Sequence, residues 1–321
     1  MDSVNRSPSR QFDASEIDWL ISEYLAESEK RVTPTTFKDY RYLLGFFRRW
    51  WSEVGSAQAW TIKRADFYDF IEWMKVQPSR QGDKLALRTI EAALNRLRQF
   101  FKWSYVEEFY QRDYGAWIPA LTDEPPERQS PTVECLEQLF QAAGQSDKPV
   151  RNKAILAILC GTAIRRAECT QIDIEHVKFY GSGGGEINIP RGKGRKPRIV
   201  IFDDITGHYI ALHLTVLAES NIATGALFRG RGGRLTPKGL YDVVKVAAQR
   251  AGLEDIVQGP HDLRRMFATY WSRKQRGEGF TQPLSIQLGH ADKKMTLHYA
   301  KQTLDDVREV FVSPMERLRR S

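Results

Sequence analysis

The sequence predicts a mainly α-helical protein in two parts, the second carrying a small antiparallel β-sheet. Three observations point there. Apolar residues recur every three or four positions along much of residues 15–101. Residues 119–131 (PALTDEPPERQSP) then hold four prolines and scarcely an apolar side chain, a linker composition. Beyond that break, three short β-prone runs interrupt further helical patterns, too few and too short for a parallel α/β sheet. The length of 321 residues suits two domains at roughly 100–200 residues each. We expect a disordered stretch over 1–12, a helical bundle over 13–118, a linker over 119–131 and a second domain over 132–321.

Each element has a local reason. From Ser15, the residues Ile17, Leu20, Ile21, Tyr24 and Leu25 share one helical face. Thr33-Pro34 reads as an N-cap followed by proline at the first helical position, where its fixed φ suits the helix. The helix so opened carries Tyr40, Leu43, Leu44, Phe47 and Trp50 on one side. A third helix is expected over 66–74. A fourth carries Ile90, Leu94, Leu97 and Phe101, interleaved with Arg88, Arg96, Arg98 and Lys102. The apolar stripes read as core, and the arginine-bearing faces as candidate contact surfaces.

In the second part, residues 133–143 and 153–159 read as helices and 165–171 as a shorter one. Strands are expected at 172–179, 186–189 and 198–202, separated by Gly181-Ser-Gly-Gly-Gly185 and by a basic turn at 191–197. Helices return at about 203–219 and 236–251, and Pro260 opens another.

Composition narrows the function. With 41% hydrophobic and 11% aromatic residues, the chain has enough apolar material for cores. No apolar run approaches the ~18 residues of a membrane span, and the start, MDSVNRSPSRQFD, has no signal-peptide core. Cys135, Cys160 and Cys169 form no CxxC pair, which favours a reducing compartment over a disulfide framework or zinc cluster. A soluble, cytoplasmic protein is expected. The net charge of +8 is unevenly placed: residues 1–129 hold 19 basic and 20 acidic side chains, residues 130–321 hold 29 and 20. Its densest cluster is Arg191-Gly-Lys193-Gly-Arg195-Lys196-Pro-Arg198. Such clustering suits phosphate contacts and suits a solvated loop about equally.

Five polar clusters in the second part stand out: Gly161-Thr-Ala-Ile-Arg165-Arg166-Ala-Glu168, Lys193 at a glycine-flanked turn, His261-Asp-Leu-Arg264, Leu288-Gly289-His290, and Tyr299 nine residues further on. Singly, each has an ordinary reading as a surface ion pair, a solvated lysine, a polar helix face, a residue after a helix cap or a half-buried tyrosine. Histidine and arginine three apart share a helical face, but that pattern alone is weak. In this order, however, the set Arg…Lys…HxxR…GH…Tyr resembles the tyrosine recombinase (phage integrase) family and matches its signature in full. GTAIRRAE is similar to the family's first box, a Gly-(Leu/Ile)-Arg-x-(Ser/Ala/Gly)-Glu run; Glu168 must follow the arginine by three, which selects Arg165 over Arg166. RGKGRKPRIV is similar to its β-hairpin lysine loop, and PHDLRRMFATYW with LGHADKKMTLHYA to its second box. Upstream, TPTTFKDYRYLLGFFRRW and TIEAALNRLRQFFKW resemble helices of the family's N-terminal core-binding domain. Two departures are small: Ala163-Ile164 stand where Gly-Leu is commoner, and His298 precedes Tyr299.

The resemblance implies an N-terminal helical, SAM-like core-binding bundle and a C-terminal tyrosine recombinase catalytic domain. It implies a catalytic set of Arg165, Lys193, His261, Arg264, His290 and Tyr299, with Glu168 in support. Tyr299 would attack a DNA phosphodiester and form a covalent 3′-phosphotyrosine that conserves its bond energy. Arg165 and Arg264 would clamp the non-bridging oxygens, and Lys193 would protonate the departing 5′ oxygen. A phenol has an ordinary pKa of about 10, so nearby cations and His261 would help remove its proton. His290 would bond the phosphate or hold its neighbours. No cofactor and no metal are implied. Arg48, Arg98, Lys102, Arg191, Arg195, Lys196 and Arg198 are candidate DNA contacts. The implied partners are double-stranded DNA with inverted-repeat core sites and three further copies of the chain, a homotetramer on DNA. The absence of an arm-binding domain favours a Xer-like or simple two-domain integrase of bacterial, archaeal, phage or mobile-element origin.

After Tyr299 the residues Leu304, Val307, Val310 and Phe311 form an apolar stripe. It can fold back on its own core or, as the resemblance implies, dock on a neighbouring copy; in the second case residues 303–321 are dispensable for folding. Rival readings are a type IB topoisomerase, which shares the chemistry without partner exchange, and a DNA-binding protein that kept the fold without recombining.

Overall fold

The computed structural model describes residues 14–55, 62–79, 82–121, 131–190, 197–274, 281–289, 307 and 310–320. Contacts divide the chain into two compact units, residues 1–126 and 127–321. The first is all-helical: α1 (Ala14–Glu29), α2 (Pro34–Gly55), α3 (Arg64–Val76), α4 (Leu87–Val106) and a 3₁₀ turn at Tyr114–Trp117. Thr33 opens α2 as its N-cap, its hydroxyl accepting the Thr36 N–H at 3.3 Å. Helices α1, α2 and α4 pack on one another, and α3 covers α2 and α4. Their shared core is aromatic. Phe47 meets Phe70 and Phe101 edge-on, with centroids 5.2 and 5.8 Å apart, the arrangement that ring quadrupoles favour.

Two of the arginines named as candidate DNA contacts make bonds within this bundle. Arg48 pairs with Asp18 and donates to the Asp18 carbonyl and to Ser22 Oγ, tying α2 to α1. Arg98 pairs with Glu91 at 3.0 Å and donates to the Pro119 carbonyl at 2.7 Å, fixing the segment that leaves the 3₁₀ turn. Lys102 is exposed.

The second unit is built around α6 (Pro149–Thr162), preceded by α5 (Cys135–Gly144). Every residue of α6 from Ala154 to Thr162 is buried, as expected of a helix that is apolar all round. After it come the one-turn α7 (Arg166–Cys169), then β1 (Val177–Phe179), β2 (Gly185–Ile189) and β3 (Arg198–Phe202) as an antiparallel meander. Val177 faces Ile187, which faces Val200 on its other side. The expected strand at 172–179 begins only at Val177. Its first half is claimed elsewhere: the Ile174 N–H donates to the Gly225 carbonyl and the Leu227 N–H to that of Ile172, and a 3₁₀ turn fills Ile174–His176. Helix α8 (Asp204–Glu219) is capped by the Asp203 carboxylate. A two-residue-strand hairpin, β4 (Arg229–Gly230) and β5 (Gly233–Arg234), leads into α9 (Pro237–Arg250), with α10 (Pro260–Lys274) and α11 (Thr281–Leu288) following. Among the described residues, no helix is long and apolar enough to cross a membrane.

The end of the chain returns to its own unit. Val307 is buried with Ala163, Ile201, Phe267, Trp271, Leu284 and Leu288. Phe311 lies edge-on to Trp271 at 5.6 Å, and Met315 is buried in the cluster around α6. Leu304 lies outside the described residues. Of the two readings open for this stripe, the single chain shows the first for its described residues: they fold back on their own unit, over the apolar surface of Phe267 and Trp271. Deletion of residues 303–321 is expected to lower the melting temperature by ~10 °C or more, at 1.5–3 kcal/mol per buried apolar side chain. A thermal melt that matches the full chain would show that this packing contributes nothing.

Candidate active site

Helix α6 ends at Ala163, whose φ of +55° lies in the left-handed region. That turn costs a non-glycine residue of order 1–2 kcal/mol and redirects the chain so that Arg165 becomes the N-cap of α7. Glu168, one turn on, bonds back to the Arg165 N–H at 2.8 Å and to its guanidinium at 3.0 Å. The carboxylate is 4% exposed and accepts two more bonds from Arg198 of β3, at 2.6 and 2.8 Å. Burial alone would raise the Glu168 pKa, but the Arg198 and Arg165 hydrogen bonds outweigh it and hold the carboxyl below its ordinary range. Arg198, counted above among the candidate DNA contacts, is thus committed to an internal carboxylate.

Helix α10 begins with Pro260 at its first position, and His261 and Arg264 follow on one face. Both line an open cleft of about 730 Å³ with Arg165, Arg166, Tyr241 and Gln258. His261 is exposed; Arg264 is buried. The Arg264 guanidinium donates to the Ala163 carbonyl at 2.5 Å and the Leu288 carbonyl at 2.7 Å, joining the end of α6 to the end of α11. Burial, then the neighbouring Arg165 and Arg198 charges, lower its pKa to about 10, which leaves it charged at neutral pH. Arg165 likewise reaches the end of α11, donating to the Gly289 carbonyl at 3.0 Å. Gly289 has φ +62°, and a Cβ there would stand 2.7 Å from Arg198 Nε; only glycine fits both demands.

The structure therefore brings Arg165, Glu168, His261 and Arg264 together, with Arg198 behind them. Lys193, His290 and Tyr299, like Arg191, Arg195 and Lys196, lie outside the described residues. Two supporting residues went unnoticed in the sequence. Asp262 accepts the N–H groups of Gln258 and Gly259 at 2.9 and 3.1 Å, and its place in the first turn after a proline is the signal that marks it. Gln287 is buried and spans α6 and β3, donating to the Thr162 and Ile201 carbonyls at 3.2 and 2.9 Å; a lone amide in the apolar run before Leu288-Gly289 was its only trace.

The second box and the first are read together by comparison with known proteins: the phage integrase family profile matches residues 132–305, more than half of the chain. The chain belongs to the phage integrase family. The N-terminal SAM-like domain of phage integrases matches residues 21–108. Similar members include the tyrosine recombinase XerC of Oceanobacillus iheyensis, 29% identical over 92% of this chain and 94% of that protein. XerD of Mycobacterium tuberculosis is 28% identical over 91% of this chain and 94% of that protein. Among solved structures, the Tn1549 transposon integrase in complex with transposon right-end DNA matches with a TM-score of 0.66 at 16% identity, covering 96% of this chain and all of that one. The XerH site-specific recombinase bound to its difH substrate matches at 0.63 and 20% identity, covering 95% and 90%. The mainly helical fold with a small antiparallel sheet is thus the integrase fold, and the activity class is that of a site-specific DNA recombinase.

Substitution Glu168→Gln keeps the shape and removes the charge that two guanidinium groups share. It is expected to destabilise the protein by about 3 kcal/mol at neutral pH. A carboxyl whose folded pKa is depressed contributes stability above its unfolded value, about 4.3, and loses it as pH falls through the folded one. Thermal melts of the two proteins should therefore converge below about pH 4; a gap that is constant with pH would mean that the charge is unimportant.

Proposed function

We propose that this integrase cleaves and rejoins one DNA strand at a time through Tyr299, with Arg165 and Arg264 as the clamp on the scissile phosphate. One observation carries this reading: two guanidinium groups from separate helices and the exposed His261 converge on one open cleft. Burial first, and then the neighbouring Arg165 and Arg198 charges, lower the pKa of Arg264, and an anion entering the cleft would relieve that charge. In the transition state further negative charge builds on the non-bridging oxygens, and preorganised cations are worth most there. Planar, bidentate donors suit that geometry better than an ammonium would.

The order of events follows from the chemistry of the groups. Tyr299 loses its proton with His261 and the nearby cations in support. Its oxygen attacks phosphorus, the bond to the 5′ oxygen breaks, and Lys193 delivers the proton that this oxygen needs. The phosphodiester energy is kept in the phosphotyrosine link, and reversal of the step with a new 5′ hydroxyl seals the exchanged strand. His290 bonds the phosphate or steadies its neighbours. For Lys193, His290 and Tyr299 the support is the motif spacing in the sequence. The partners are duplex DNA with inverted-repeat core sites and a tetramer of this chain, supported by a solved lambda integrase tetramer bound to a Holliday junction, which this chain matches with a TM-score of 0.64 at 13% identity. We place it on the nucleoid of its host.

A duplex nicked just downstream of the cleaved phosphate releases the short fragment that carries the freed 5′ hydroxyl, and should trap a protein–DNA adduct that survives denaturant, in EDTA as well as in buffer. Tyr299→Phe should form none. An adduct in that variant, or its loss on chelation alone, would refute the mechanism.

Lys193→Ala should bind the same duplex nearly as well and cleave it about 10²–10⁴-fold more slowly, the range for one proton transfer. A 5′-bridging sulfur, whose departure needs no proton, should restore most of that rate. Absence of rescue would move the general-acid role, with Lys196 the first alternative.

A further inference from the structure

The cleft is larger than one phosphate requires, and one cation on its wall has no hydrogen bond or ion pair among the described residues. Arg165 is engaged by Glu168 and the Gly289 carbonyl, and Arg264 by two backbone carbonyls. Arg166, the next residue in the chain, lines the same cleft and is exposed. Its guanidinium makes no hydrogen bond or ion pair among the described residues. It lies against Tyr241 of α9, with Cζ 5.8 Å from the ring centroid, within range of the ring's attraction for a cation. The half-buried ring packs closely on Gly259: a Cβ there would come within 2.8 Å of its Cε2, so glycine there leaves room for Tyr241 at the cleft wall. Lys238 also lies over this ring, at 5.7 Å, but it is paired with Asp242. Of the two, Arg166 has no ion-pair partner among the described residues.

The first box of this family leaves the position after its arginine free, and here it is a second arginine. Two consecutive arginines on one cleft wall match two consecutive phosphates on a strand. We propose that Arg166 binds the phosphate next to the scissile one on the cleaved strand, and that Tyr241 is the positioning residue that aims it. This rests on the recombinase reading above and deepens it. Phosphate contacts of this kind fix register without reading sequence. Arg166 would hold the strand so that the scissile phosphate falls between Arg165 and Arg264, and its effect belongs in affinity across all sequences.

The test uses the full-length chain in two assays. On a random-sequence duplex, the dependence of log affinity on log salt should flatten by about 0.9 in Arg166→Ala, the loss of one phosphate contact. On the nicked duplex, once the adduct has mapped the cleaved phosphate, methylphosphonates are placed singly on either side of it. The wild type should lose about tenfold in affinity at one of these two positions, and Arg166→Ala should lose nothing further there, while both proteins still respond to neutralisation of the scissile phosphate. Tyr241→Leu should show part of the Arg166→Ala loss, with no added loss when the two are combined, and Tyr241→Phe should restore wild-type binding because the ring suffices. If the penalties of Arg166→Ala and the flanking methylphosphonate simply add, or the salt dependence is unchanged, the assignment is overturned. If no duplex yields an adduct, it is the recombinase reading that fails.

Discussion

A single buried carboxylate organises the catalytic unit. Glu168 receives four hydrogen bonds, from the Arg165 backbone and side chain and from both terminal nitrogens of Arg198. A carboxylate so far from water is stable only when its lone pairs are met by charged donors, and meeting them draws α7 and β3 to one point. From that point Arg165 extends to Gly289, and beside it Arg264 joins the ends of α6 and α11. The arrangement holds more positive charge than Glu168 can cancel. Three guanidinium groups near one carboxylate leave a surplus of positive charge among the described residues, and two of them, Arg165 and Arg264, line the cleft.

That site needs a fixed origin, which α6 supplies. The helix is enclosed from Ala154 to Thr162, and Gly161 lets α8 approach so closely that a methyl group there would collide with Thr206 Oγ1. Little in a core of this density can yield. The left-handed turn at Ala163 is therefore imposed by its surroundings. Glycine, commoner at this position in the family, would adopt that φ without strain; alanine adds a buried methyl to the cluster with Phe267 and Trp271 and is held in place by it. The carbonyl it exposes is the one that Arg264 takes.

Much of this was legible in the sequence. Periodicity gives all the described helices but α11 (Thr281–Leu288) to within a few residues, because amphipathic spacing is a local property: Thr33-Pro34 marks the start of α2, and Pro260 that of α10. The spacing of Arg165 to Glu168 and of His261 to Arg264 is local too, and the structure keeps both. What was not legible depended on partners distant in sequence. Nothing near Arg48 or Arg98 announces Asp18 or the Pro119 carbonyl as their destinations. Arg198 stands at the edge of a basic run yet turns inward to a carboxylate thirty residues earlier. The half-strand at 172–176 is β-prone in composition and loses its pairing to residues 225–227.

The returning tail has an optical consequence. Seven of the eight tryptophans fall before residue 118, and Trp271 is the single indole of the second unit. It is fully enclosed, with Phe311 of the tail standing edge-on against its ring. Any rearrangement that lifts the tail exchanges that phenyl edge for water at one indole alone. In a chain carrying phenylalanine at the other seven positions, the emission colour of Trp271 would follow the tail as it leaves and returns, with no label attached.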